Sequence, residues 1–157
     1  MQLSTLLTTL LITIATTTTA IPTIPKRETL HPLQITALTA RTLSDLDFGL
    51  LNLTLSDPNT DAPPTICNVN WHPTQPVPVS TTVKCYNPAY EVSFPDGLGS
   101  HIDRFTLRVQ TSNSSLVEQG EVRLDAYADA SQWVCRNRTA EYIKMQCAYS
   151  GVLEVGL

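Results

Sequence analysis

Four cysteines, Cys67, Cys85, Cys135 and Cys147, are the residues best placed for covalent chemistry in this chain. An even count in a short exported chain reads as a disulfide framework. A zinc site asks for closely spaced ligands. There is no CxxC, and His72 is the only histidine near a cysteine, so neither a metal nor a cofactor is expected. Acid–base chemistry has few candidates. His101 and Asp103 stand two apart after Gly97 and Gly99, with Arg104 and Arg108 nearby. On a strand the pair would share a face, as an RNase-like acid/base site would require. Asp45 with Asp47 and Asp125 with Asp129 are the carboxylate pairs a glycosidase could use, but they sit among turn and surface residues. His31 falls in an N-terminal arm and His72 in a loop. No GxSxG elbow, HExxH, phosphate-cradling glycine loop or EF-hand pattern occurs. The chain reads as a protein that is not an enzyme.

The first 20 residues read as an export signal. Leu6 to Ala15 is an apolar run of signal length, and Thr18 with Ala20 forms a small-x-small cleavage site. The run is shorter than the ~20 apolar residues that cross a bilayer. Residues 21–27, IPTIPKR, resemble a short pro-segment ending at the dibasic Lys26-Arg27. The remainder, 28–157, suits one domain. The whole chain carries a net charge of −4, from 10 Lys+Arg against 14 Asp+Glu. An acidic chain without a basic cluster makes a poor ligand for nucleic acid or anionic lipid. No nucleic acid and no membrane insertion is expected.

The elements that position these residues have the period of strands. Phe105 to Gln110, Glu121 to Tyr127, Tyr90 to Phe94, Tyr142 to Cys147 and Leu153 to Leu157 alternate apolar and polar residues. Thr65 to Trp71 adds another, while Gln34 to Thr42 and Phe48 to Ser56 fit less cleanly. Turn residues separate them, and Pro73, Pro76 and Pro78 mark an extended loop. The fold class is all-β: a compact antiparallel β-barrel or sandwich of about eight or more short strands. Trp71 and Trp133, each near a cysteine, are assigned to the core. Three sequons, at Asn52, Asn113 and Asn137, read as exposed glycosylation sites.

Four cysteines allow three connectivities, and sequence alone does not choose among them. Local spacing favours neighbours, with Arg136 to Thr139 as a loop between two strands. The order of features resembles the Alternaria major allergen-like family of secreted fungal proteins. The features concerned are the strand at Ile35 to Arg41, the leucine-rich strand Phe48 to Leu55, and Cys67 followed by Trp71. Cys85 precedes Tyr90 to Phe94 and Phe105 to Gln110, and Trp133-Val-Cys135-Arg136 leads to Cys147. The resemblance implies a β-barrel, the pairs Cys67–Cys85 and Cys135–Cys147, and no catalytic centre. It further implies a fungal export of the allergen, elicitor or virulence type. The chain departs from the family in its longer, proline-bearing first disulfide loop. It also lacks the cysteine that links subunits, so a monomer or non-covalent dimer is expected.

On this reading the chain is a secreted effector or allergen-like interaction protein that contacts host extracellular proteins or the host surface. Loops on a rigid scaffold would carry the contact. The Trp71 to Lys84 and Asp96 to Arg104 loops are the candidates, with His72 and Tyr86 as contact residues. The alternatives are an apolar-ligand barrel, a passive cell-wall glycoprotein and a small RNase-like hydrolase.

Overall fold

The computed structural model describes residues 30–112 and 118–156. The expected export segment 1–20, the expected pro-segment 21–27 and Asn113 lie outside them. Ten strands occur among the described residues: β1 (Leu33–Leu43), β2 (Phe48–Ser56), β3 (Thr65–Trp71), β4 (Thr82–Lys84), β5 (Tyr90–Ser93), β6 (Arg104–Thr111), β7 (Gln119–Asp125), β8 (Trp133–Ala140), β9 (Ile143–Tyr149) and β10 (Leu153–Val155). Alternation decides which side each strand buries. In β2, Leu51, Leu53 and Leu55 are buried while Leu50, Asn52 and Thr54 are only half-covered. The unclean pattern of β1 has a physical cause. A bulge lies between Thr36 and Thr39, with Ala37 at φ 52°. It inserts a residue and resets the parity. Leu33 and Ile35 are therefore buried before it, and Leu38, Ala40 and Thr42 after it.

The strands form two antiparallel sheets. One runs in the order β3-β2-β1-β9-β8, with β10 also paired to β1. The other runs β4-β5-β6-β7. Their inner faces share one core, in which Phe94, Phe105 and Trp133 form a tilted-to-edge aromatic series with centroids 6.0 and 5.8 Å apart. Two sheets around one core make a sandwich-like fold. The expected barrel is thus corrected: the hydrogen-bonded path is not closed. The sheets draw close near both margins. At one, Cys67 of β3 is bridged to Cys85 just after β4, so this disulfide joins the sheets. At the other, a Cβ on Gly120 of β7 would meet the Gly156 carbonyl at 2.2 Å, so only glycine fits.

The second bridge, Cys135–Cys147, lies within one sheet, between directly opposed residues of β8 and β9. Both pairings are the sequential ones, of the kind that forms in an oxidising compartment. Arg136 to Thr139 is strand, not the expected loop; the turn lies at Glu141 and Tyr142. The three-residue β4 was hidden behind the proline stretch. Trp71 and Trp133 are core residues, as expected.

One buried polar cluster ties several elements together. The Tyr90 hydroxyl donates to Asp57 Oδ2 at 2.8 Å, and Asp57 Oδ1 accepts the Asn59 N–H at 2.9 Å. Glu118, 5% exposed, opens β7 by accepting the Thr111 N–H at its carbonyl. Its Oε2 has no hydrogen-bond partner among the described residues. Burial, then the charge of Asp57, pushes the Glu118 carboxyl above the ordinary range, against a lowering bond from Asn59. Burial is also the main cause that raises Tyr90.

A carboxyl whose folded pKa is raised holds its proton more tightly in the native state. Its contribution is intact below the unfolded glutamate value and is lost as pH rises through the folded value. Glu118→Gln should therefore raise the melting temperature at pH 7 and leave it unchanged below about pH 4, where the wild-type carboxyl is also neutral. A thermal melt series across that range checks this; an equal shift at both ends would contradict it.

Candidate functional site

The two candidate loops come together. The β3–β4 loop meets the β5–β6 loop through a bridge between Val77 and Leu98, whose N–H groups donate to each other's carbonyls at 2.8 and 3.4 Å. Both residues are buried. Each tryptophan fastens the second loop again. The Trp71 indole N–H donates to the Gly99 carbonyl and the Trp133 indole N–H to the Ile102 carbonyl, both at 3.0 Å. Trp71 can lie where it does because its partner across the β2–β3 ladder is Gly49. A Cβ there would stand 2.2 Å from the indole ring. The tryptophans were assigned to the core for contact with disulfides. Their N–H groups show a second role, holding a loop that sequence reasoning left free.

Between the joined loops and the end of β6 and β7 lies an open cleft of about 380 Å³. Pro73 and Pro76 form one side; Asp96, Arg104 and Arg123 bring the charges, with the His101 ring beside them. Asp96 is held by the Thr106 hydroxyl at 2.5 Å. Arg123 stands 3.9 Å from Asp125. The Arg104 guanidinium lies over the exposed Tyr127 ring, 5.3 Å from its centroid, a cation–π contact. The neighbouring Asp103 carboxylate, through hydrogen bonding and charge, pushes the Tyr127 hydroxyl's pKa up. Arg123 was missed in the sequence, where it reads as one more outward residue of a strand. Its register opposite Thr106, one step from Arg104, places it at the cleft.

His101 and Asp103 do not share a face. They sit in a turn before β6, with the His101 side chain 84% exposed and that of Asp103 7% exposed. Their closest approach is 3.7 Å, longer than a hydrogen bond. Arg108 is not in the site, because it pairs with Glu121 farther along the sheet. Asp47 is occupied by the Thr74 N–H and hydroxyl, and the exposed Asp45 is not beside it in any cavity described. Asp125 accepts the Tyr127 N–H, and Asp129 is exposed. Neither carboxylate pair faces the other across a cleft.

His72 and Tyr86 are not brought together. His72 caps a turn past the end of β3, its Nδ1 3.0 Å from the Asp47 carbonyl. Tyr86 is 72% exposed and accepts the Asn68 side-chain N–H at 3.1 Å, midway along β3. About four residues, roughly 13 Å of strand, separate these anchors. Of the sequons, Asn137 is exposed on β8 whereas Asn52 is half-buried in the centre of a sheet, which corrects its expected exposure.

Trp71→Phe keeps most of the ring but leaves the Gly99 carbonyl without its donor. A loss of about 1–3 kcal/mol is expected in denaturant unfolding. Faster amide exchange should be confined to residues 96–103 and their bridge partners. Loss spread evenly over both sheets would contradict the clamp.

Compared with known proteins, the chain matches no protein-family model and no curated protein.

Proposed function

We propose that the chain is an exported, non-catalytic interaction protein of the allergen or effector type, which recognises an extracellular host partner through this cleft. The observation that carries the reading is the doubly fastened rim. A bridge and two indole bonds hold the loops before any partner arrives, which lowers the ordering cost of binding. Exposed Tyr127 and the two arginines are side chains of the kind that dominate interface energetics. The sequential disulfides and the all-β architecture are consistent with the resemblance to the Alternaria major allergen-like family, which is part of this proposal. The apolar-ligand alternative gains less support: the fold has no barrel mouth, and the cleft is bordered by charge. The RNase-like alternative would rest on His101 and Asp103, which do not hydrogen-bond.

The experiment is capture from host extracellular fluid by immobilised wild type, Arg104→Ala/Arg123→Ala and Tyr86→Ala. The double variant is expected to lose the component that the other two retain, by at least about 30-fold in Kd if both arginines are hot spots. Equal capture by all three would overturn the cleft as the contact surface. Turnover of RNA by wild type, abolished in His101→Ala, would overturn the non-catalytic reading.

A further inference from the structure

The solvent faces of the two sheets differ in charge. On the four-stranded sheet, cations sit beside anions: Arg108 pairs with Glu121, Arg123 with Asp125, and Lys84 stands opposite Glu91. Among the described side chains, the strands of the other sheet carry Arg41, Arg136 and Lys144 against a single carboxylate, Glu154 at the far end of β1. This asymmetry arises in a chain whose net charge is −4. Arg41 and Arg136 are exposed, and no carboxylate lies within ion-pair distance of either among the described residues.

Register places these two arginines in one row. Both are Cα partners of Gln146, Arg41 from β1 and Arg136 from β8. They stand two strand spacings apart, about 10 Å. The next row holds Thr39, Ala148 and Val134, with Asn52 beyond Thr39. Two shallow grooves, about 450 and 120 Å³, meet at Gln146 and have Arg136 and Arg41 on their walls.

We infer that this face binds a carboxylated polysaccharide, a polyuronate, laid across the strands. Arginine matches a carboxylate in bidentate fashion. A polymer with one carboxylate per sugar and hydroxyls between fits two separated guanidiniums with an amide and a hydroxyl among them. The three cations described on these strands, only two of them in one row, are too sparse for an anionic membrane, which calls for clusters of four to eight. The stretch between them offers no aromatic platform for single-stranded nucleic acid. An acidic peptide binds by adding to a free strand edge or filling pockets. Here β1, β2 and β9 are paired on both sides, and the open edge of β8 would hold a peptide along the sheet margin rather than across the arginine row. This surface is separate from the loop cleft and does not depend on what that cleft recognises.

The test is a titration of the full chain, made as Thr54→Val/Asn137→Gln so that the Asn52 and Asn137 sequons are both absent and the face is bare, with size-defined oligogalacturonate. Saturable binding that weakens with salt is expected. Arg41→Gln/Arg136→Gln should weaken it at least ten-fold, and Arg104→Gln in the loop cleft should not change it. Should the double variant fail to fold, Arg136→Gln on the edge strand β8 serves alone, with a loss of three-fold or more. No saturable binding, binding unchanged in the arginine variants, or tighter binding of sulfated dextran or poly-glutamate than of oligogalacturonate would each overturn the proposal.

Discussion

The site of this molecule depends on two indole hydrogen bonds. A loop between strands must satisfy its own carbonyls, and the segment from Phe94 to Asp103 crosses the end of the sandwich with little regular structure to help. Trp71, from the six-stranded sheet, takes the Gly99 carbonyl, and Trp133, from the far edge of the same sheet, takes the Ile102 carbonyl. The loop belongs to the other sheet, as the connection between β5 and β6. Each bond therefore pins one sheet to the other as well as fixing the loop. Gly49 exists to admit one of these rings, and Phe105 packs edge-on against the other.

Much of the architecture was legible from period-two alternation, because a half-buried strand writes its faces directly into the order of residues. The strands at Phe48, Thr65, Tyr90 and Phe105 fall where alternation puts them. What was illegible had local causes. The bulge at Ala37 shifts parity inside β1, so neither frame reads cleanly along its length. The residues Arg136 to Thr139 are polar and hydrophilic, yet they continue an edge strand, where solvent exposure imposes no apolar pattern. Closure into a barrel is a property of register and shear between non-adjacent strands, which alternation does not encode.

The candidate site was legible only in outline. The two loops stand out by their prolines and glycines, and the structure joins them. Their side-chain partners are long-range: Arg123 reaches the cleft from a different hairpin, and His101 and Asp103 part company because a turn, not a strand, carries them. Sequence spacing describes a shared face only when the element is known. The charge asymmetry between the sheets is similarly invisible to a net charge of −4, since acidic residues are spread through turns while the six-stranded sheet keeps almost none.

The two bridges also bear on how the chain withstands proteases. Each closes a short loop around an exposed connection: Cys67–Cys85 encloses the proline-rich segment, and Cys135–Cys147 encloses the Glu141–Tyr142 turn. Exposed connections are where proteases cut first. A single cut inside either loop leaves both fragments covalently joined, with the sheet pairing around it intact. Such a protein can be nicked without being dismantled, and its surface outlasts the continuity of its chain.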